Sequence, residues 1–197
     1  MIDYSELNMD APFPVSIFNS ETILFTNMVA QSTVSGNNVA FVNPELVNSY
    51  LEEDLRAGFL VNNAANNSYF KGSYTSRQDV FTGVALDEIL LILAESMVRQ
   101  DRIDEGVNYL NQLLMQRFRD FIPYTANSKT DALGLILDAR RKSLVFRGQR
   151  WADLKRLSVL GSEPETLTRQ IENDVVNFTV SMENMILKIP QREIDLQ

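Results

Sequence analysis

The sequence predicts a mainly α fold with tetratricopeptide-like helix pairs, long loops and a small β component. Apolar residues recur at helical spacing from Leu86 to Met97, and a second stripe of the same period runs from Ile103 to Phe118. Short runs rich in β-branched and aromatic residues stand near both ends of the chain. Because only a short break separates the two stripes, we expect their helices to form a hairpin.

Length and composition favour one globular domain. The 197 residues are 45% hydrophobic and 22% charged, which allows a sizeable core. Within that domain the sequence predicts irregular loops and short strands over residues 1–82, the helical repeat region over 83–160 and C-terminal strands over 161–197.

The composition excludes several classes of site. The chain contains no cysteine and no histidine, so it has no thiolate nucleophile, Cys-ligated metal or imidazole base, and we expect no metal or cofactor. A formal net charge of -8 disfavours nucleic acid as a partner. The first residues lack a signal-peptide pattern, and no apolar run approaches the roughly 20 residues that span a bilayer. As written, the chain is predicted to be soluble and untargeted.

Capping signals and glycines predict where the helices begin and end. The first long helix begins near Gly83, and its apolar stripe consists of Leu86, Ile89, Leu90, Leu93 and Met97. Asp101 is predicted to cap the second helix and Ser128 the third, which continues to Gly148. A fourth helix carries Trp151 and ends near a glycine ten residues later.

Shorter elements are predicted on both sides of these helices. Residues 1–43 indicate loops with one or two short strands, and Pro44 begins a short helix. Residues 177–181 and 185–189 are strand-like in composition, and Pro190 ends the second run. We expect these two runs to tie down the C-terminus.

Small residues mark the place where the helices of a tetratricopeptide-like pair cross closely. Ala94 and Gly106 are the candidates, because a large side chain at either position holds the two backbones apart. Large residues flank both positions, as such a crossing requires. From this pattern alone, an ordinary helical hairpin with two incidental small residues remains an equal alternative.

Three stretches contain residues whose types and spacing match the motifs of a known protein family. In the first stretch the matching residues are Glu88, Leu91, Ala94 and Glu95. In the second they are Gly106, Leu110, Asn111 and Arg117. In the third and most specific stretch they are Arg140, Arg141, Leu144, Gly148, Arg150, Trp151, Asp153, Leu154 and Arg156. Together these stretches resemble the SusD/RagB family of glycan-capture proteins.

Shorter fragments near residues 45–56 and 189–194 extend the resemblance over most of residues 43–194. The sequence departs from the family pattern at Ala85, Ala139 and Ser143, where the family usually has charged residues. These departures weaken an expected structural ion-pair network. They do not affect an active site, because the family is non-catalytic.

The resemblance implies a surface lipoprotein of the outer membrane that serves polysaccharide utilisation. Such a protein holds a glycan over a TonB-dependent, SusC-like outer-membrane transporter. Family members are generally longer and begin with a signal peptide and a lipid-anchored cysteine, which this sequence lacks. We therefore expect the chain to correspond to the C-terminal portion of such a protein, as a fragment or as a short relative.

An Asn-rich segment, residues 62–76, is the best candidate for contacting a sugar. It is predicted to be a loop or an irregular hairpin, and its aromatic faces and amide and ammonium donors suit a polyol. The ligand-binding candidates are Asn67, Tyr69, Phe70, Lys71 and Tyr74. Aromatic residues that merely cover the edge of a core are the favoured alternative.

Other chemically suggestive residues have structural interpretations that we favour. The basic residues between Arg140 and Arg156 suit an anion, yet charges along helices are usually solvated or paired. Trp151 suits stacking on a sugar, yet it shares an apolar stripe with Leu154, so we place it in the core. Glu88 and Glu95 lie about 10 Å apart along a helix, beyond glycosidase spacing, so we expect each to pair with an arginine.

The sequence therefore predicts non-catalytic glycan binding. The alternative is a tetratricopeptide-like adaptor that binds protein without sugar, and a hydrolase with two carboxylates is a third, less favoured class. The sequence leaves open which glycan is bound, with what affinity, and in what oligomeric state.

Overall fold

The computed structural model describes the following residues: 1–28, 40–64, 67–72, 74–77, 79–161, 165–171, 174–181, 183–186 and 189–195. They form two compact units, Met1–Gly148 and Gln149–Gln197, where the sequence predicts one domain. Helices dominate the described chain and the sheets are small, so the expected mainly α fold is confirmed. Among the described residues, no helix is long and apolar enough to cross a membrane.

In its described residues, the first unit combines short two-stranded sheets with four α-helices. Its strands are β1 (Thr22–Leu24), β2 (Asn27–Met28), β3 (Leu60–Asn62), β4 (Ser68–Phe70), β5 (Val80–Phe81) and β6 (Val84–Ala85). Its helices are α1 (Pro44–Asn48), α2 (Leu86–Arg99), α3 (Ile103–Leu114) and α4 (Lys129–Ser143). Antiparallel pairs form between β1 and β6, β2 and β5, and β3 and β4. The short strands expected before residue 43 and the helix at Pro44 are confirmed.

The helices α2 and α3 form the predicted hairpin, and α4 packs against both. Their largest buried residues form one core that includes Leu91, Leu110 and Ile136. At the crossing, a Cβ atom built on Gly106 lies only 2.4 Å from Val98 Cγ2 and 2.6 Å from the Ala94 carbonyl oxygen. Only glycine fits at that distance, so the close crossing of Ala94 and Gly106 is confirmed.

The buried face of α2 differs from the predicted stripe. Leu90 is buried as expected, but Leu86, Leu93 and Met97 are only half-buried. The residues that the helix actually buries are Asp87, Glu88, Leu90, Leu91, Ala94, Glu95 and Val98. A hydrophobic period cannot reveal this face, because three of its residues carry charges that become buried through pairing.

The helix ends agree with the sequence at one cap and differ at another. Ser128 Oγ accepts a hydrogen bond from the Asp131 N–H at 3.1 Å, as predicted for the start of α4. Asp101 does not cap α3, since Arg102 holds that position. Instead Asp101 takes a left-handed conformation with φ 64° at the tight turn after α2. The helix α4 ends at Ser143, five residues before the predicted end at Gly148.

Arg117, just beyond α3, is fully buried and paired with a carboxylate from the N-terminal segment. Its guanidinium donates to both oxygens of Glu21, at 2.7 and 2.8 Å, and to the Ile2 carbonyl oxygen at 2.7 Å. It also lies 4.0 Å from the centre of the Tyr4 ring. Arg117 therefore ties Ile2, Tyr4 and Glu21 of the N-terminal segment to the end of the helical hairpin.

Buried polar groups continue from this pair into the first turn of α2. The Tyr74 hydroxyl donates to Glu21 at 2.5 Å and lies 3.2 Å from Asp87. Arg147 contacts Asp87 and Glu88, each at 3.4 Å. Because every charge in this set has an opposite partner within reach, the interior tolerates it.

A second buried pair fixes the segment before β3. Arg56 donates to both oxygens of Asp54, at 2.8 and 2.6 Å. Its remaining donors reach the Ala139 carbonyl oxygen at 3.3 Å and Ser143 Oγ at 2.8 Å. These bonds join the segment before β3 to the end of α4.

The second unit contains α5 (Arg150–Val159), β7 (Thr166–Ile171), β8 (Asp174–Thr179) and α6 (Gln191–Ile194). The strand predicted over residues 177–181 is confirmed in large part by β8. The strand predicted over residues 185–189 is wrong in the residues that the structure describes, since Met185 lies in a turn and fills a small core beside Leu154. The actual partner of β8 is β7, which the sequence did not predict.

The glycine at the helix crossing gives a matched pair of substitutions. Gly106→Ala is expected to lower the free energy of unfolding by about 1–3 kcal/mol, because the added methyl group overlaps Val98 and the α2 backbone. Gly134→Ala, in the interior of α4 with no neighbour within 4 Å, is expected to raise it by up to about 1 kcal/mol. Urea denaturation measures both, and equal effects of the two substitutions would refute the close crossing.

The buried carboxylate gives a second prediction. Glu21→Gln is expected to lower the free energy of unfolding by about 3–5 kcal/mol, because it leaves the Arg117 charge buried without a counter-ion. Glu105→Gln breaks an exposed pair with Arg102 and serves as the control, with no measurable change expected. Thermal melting compares the two variants, and a Glu21→Gln protein as stable as the parent would contradict the role of this pair.

Candidate functional site

The candidate sugar-binding segment contains a short hairpin. The strands β3 and β4 pair through Leu60 with Phe70, Val61 with Tyr69 and Asn62 with Ser68. Because side chains alternate along a strand, Tyr69 and Phe70 point to opposite faces of this hairpin. The predicted irregular hairpin is therefore confirmed for its described residues.

The asparagine side chains of this segment mostly stabilise the hairpin itself. Asn62 Oδ1 accepts from Ser68 Oγ at 2.5 Å, and Asn63 Oδ1 accepts from the backbone N–H of Asn67 at 3.0 Å. The Asn67 side chain itself remains exposed. Of these carboxamides, the one at Asn67 is best placed to meet a ligand in solvent.

Two of the aromatic candidates are committed to the interior. Tyr74 is 1% exposed and its hydroxyl joins the buried polar set, so the prediction that it faces a ligand is wrong. Burial, with the Asp87 charge next in importance, holds the pKa of Tyr74 well above its usual value. Phe70 is half-buried and stacks on Phe146 with ring centres 5.8 Å apart. Both residues cover or fill the core, as the alternative interpretation expected.

Lys71 is half-buried and its ammonium group is already bonded. Its Nζ donates to the carbonyl oxygen of Met9. Burial lowers the pKa of Lys71, and the Asp10 carboxylate partly opposes this shift. Lys71 therefore serves first to anchor the segment around Met9.

The residues of the family-like motifs mainly form ion pairs. Glu88 lies 3.9 Å from Arg140 and 3.4 Å from Arg147, and Glu95 pairs with Arg99 at 2.7 Å. Further along, three more pairs form: Lys142 with Asp138, Arg150 with Glu165, and Arg156 with Asp153. Arg141 is half-buried on α4, and Gly148 has φ 75°. The structural interpretation of the basic run and of both glutamates is confirmed.

Trp151, in the second unit, is 44% exposed, so its predicted place in the core is wrong. On α5 only Leu154 points fully into the small core. Trp151 lies in the first turn of α5, and its ring contacts that of Phe178 of β8, with ring centres 6.0 Å apart. Nearly half of this large aromatic side chain is therefore exposed to solvent.

The interior of the first unit contains a cavity of about 20 Å³ beside the buried polar set, lined among others by Tyr4, Tyr50 and Arg147. This volume is enough for about one water molecule and too small for a sugar. Among the described residues, no group of three or more Asp or Glu side chains could hold a metal ion. Nothing in this interior therefore suits an organic ligand.

The sequence alone missed Glu21 and Asp87, the carboxylates that organise this interior. Glu21 has no local signal, because its partner Arg117 lies 96 residues away in the chain. Asp87 reads as an ordinary acidic residue in the first turn of a helix. Only the three-dimensional fold reveals that both are buried.

Solved structures with a similar architecture include two that are described as SusD-like or SusD superfamily proteins. A SusD superfamily protein from Bacteroides thetaiotaomicron matches with TM-score 0.66 and 19% identity over 99% of this chain and 50% of that chain. A SusD-like carbohydrate binding protein from Bacteroides vulgatus matches with TM-score 0.50 and 19% identity over 71% of this chain and 33% of that chain. Another Bacteroides vulgatus protein matches with TM-score 0.56 and 23% identity over 77% of this chain and 35% of that chain.

These likenesses establish the fold: the chain has the SusD-like architecture that its motifs resemble. The chain spans between a third and a half of the length of these solved structures. No family model matches the sequence, and no curated protein matches it significantly.

Trp151 is the single tryptophan, so its fluorescence reports on this residue alone. Its emission is expected to be near that of a solvated indole and readily quenched by acrylamide, because nearly half of the side chain is exposed. Trp151→Ala should cost less than the about 3–5 kcal/mol typical of a buried aromatic. Blue-shifted emission that acrylamide does not quench would instead indicate that Trp151 is buried in the core.

Proposed function

We propose that the chain binds a glycan without transforming it, as part of a SusD-like nutrient-uptake lipoprotein. The observation that carries this proposal is the match of 99% of the chain to a SusD superfamily structure with TM-score 0.66. A second match, at TM-score 0.50, is to a protein described as SusD-like and carbohydrate binding. The motifs that resemble the family support the same assignment, since their residues hold this fold together.

The chemistry of the carboxylates supports binding rather than hydrolysis. A glycosidase needs a protonated acid and a second carboxylate free to act on the sugar. Glu88 contacts Arg140 and Arg147, and Glu95 pairs with Arg99. These arginine partners occupy the carboxylate oxygens, so neither glutamate is free to act on a sugar.

The proposed partners and location follow from the family resemblance. The glycan would pass to a TonB-dependent, SusC-like transporter, at the cell surface of the outer membrane. The net charge of -8 makes nucleic acid and anionic lipid unfavourable partners for the chain, because like charges repel.

Within the first unit, we place the sugar contact at Tyr69 and Asn67. The half-buried Tyr69 ring lies on the opposite face of the hairpin from Phe70, and the exposed Asn67 carboxamide can donate to and accept from hydroxyl groups. In the second unit, the exposed part of the Trp151 ring is an additional stacking surface. Sites of this kind are shallow and solvated, so weak binding is expected.

Affinity electrophoresis through gels that contain single polysaccharides tests the proposal. The parent chain is expected to be retarded by at least one neutral polysaccharide, and the double variant Tyr69→Ala/Asn67→Ala to be retarded about tenfold less, since a stacking ring and a hydrogen-bonding group are lost. Phe18→Ala is the control, because Phe18 is an exposed aromatic residue outside the hairpin. It should migrate like the parent.

Two results would count against the proposed function, and a third would count only against the proposed site. Free migration in every polysaccharide gel, together with co-purification of a protein partner, would favour the adaptor function. Release of reducing sugar that disappears on substitution of one Asp or Glu would make the protein a hydrolase. Retardation that the double variant retains would move the contact away from the hairpin.

A further inference from the structure

A groove of about 210 Å³ lies on the outer side of α3, where the segment 124–126 returns beside the helix. Its lining combines the apolar side chains of Val107 and Ala126 with Tyr124 and with polar side chains from α3 and Thr125. The groove lies outside the hairpin of β3 and β4, and Asn111 is a residue of the family-like motifs that lines it.

The groove is held open by a two-point clamp. Asn111 Nδ2 donates to the Tyr124 carbonyl oxygen and Asn111 Oδ1 accepts from the Tyr124 N–H, both at 2.9 Å. Tyr124 is also held by an edge-on contact with Phe121, with ring centres 5.7 Å apart. Because one side chain satisfies both backbone groups, the wall formed by this segment is fixed before a ligand arrives. Asn111, a residue of the second family-like stretch, therefore determines the shape of this groove.

The polar groups on the rim of the groove are free to bind. Asp104 and Asn108 lie one turn apart on α3, so their side chains share a face, and both are exposed. Thr125 adds a hydroxyl group from the opposite wall. These three side chains have no hydrogen bond or ion pair with any residue that the structure describes.

The size and lining of the groove define the ligand class. Its volume is below the roughly 300–1,000 Å³ of sites for drug-sized ligands, so it suits one ring rather than a chain segment. The apolar lining residues and Tyr124 suit the C–H face of a pyranose, and the carboxylate, carboxamide and hydroxyl groups beside them suit ring hydroxyls. The Asp104 charge and the acidic surface of the chain repel an anionic ligand.

We propose that this groove binds one uncharged sugar residue, as a second contact separate from the hairpin of β3 and β4. The inference rests on the proposed glycan-binding function and adds a site and a preference for neutral sugars. A glycan that contacts both sites gains from effective concentration, since each contact alone is weak.

Amide NMR of the full chain, titrated with the methyl glycosides of glucose, galactose, mannose and N-acetylglucosamine, tests this site. At least one glycoside is expected to shift the signals of Asn108 and Thr125 with a millimolar dissociation constant. Asn108→Ala should weaken this binding about fivefold through the loss of one hydrogen-bonding group. Gln112→Ala, the same kind of substitution on an exposed α3 residue outside the groove, should leave it unchanged.

A charge test addresses the preference for neutral sugars. Methyl glucuronate should bind the parent more weakly than methyl glucoside, and Asp104→Asn should reduce that difference. Equal binding of the two glycosides by the parent would overturn the preference.

The outcomes separate the groove from the proposed function. Retardation in polysaccharide gels without any shift at Asn108 and Thr125 would overturn the groove and leave glycan binding in place. Shifts that Asn108→Ala and Gln112→Ala affect equally would also overturn it. Absence of both retardation and shifts would overturn the groove together with the proposed function.

Discussion

The buried pair of Arg117 and Glu21 is the constraint on which the first unit depends. Removing two charges from water costs several kcal/mol for each ion, and the interior repays this cost only when the geometry is close and the other donors are satisfied. Here the guanidinium makes two bonds to Glu21, one to the Ile2 carbonyl oxygen and a contact with the Tyr4 ring. The N-terminal segment and the end of α3 must therefore assemble together.

The need to pair buried charges also explains why α2 faces two environments. At its start, Asp87 and Glu88 point into the polar interior, where Arg147 neutralises them. One to two turns later, Ala94 meets Gly106 of α3 in a close apolar crossing. One helix thus joins a polar core that organises the loops to an apolar core that holds the helices, and its rotation is determined by both.

The packing also decides which of the candidate aromatic residues are buried. Strand alternation places the half-buried Tyr69 on the opposite face from Phe70, and the polar set takes Tyr74 into the interior. Trp151 is 44% exposed, since its helix covers only a small core. On α3, by contrast, the Asn111 clamp shapes a groove from backbone groups that a sequence pattern does not display.

The sequence by itself predicted the helices and the capping residue Ser128, because these depend on local spacing. It named Gly106 as a candidate for a close crossing but left an ordinary hairpin equally open, and the structure decided between the two. The sequence also predicted that Glu88 and Glu95 pair with arginines, because their separation along α2 is too large for two catalytic carboxylates. Only the tertiary structure decided the burial of Glu21. A carboxylate enters a protein interior when a distant cation meets it there, and the separation of 96 residues from that cation leaves no local trace in the sequence.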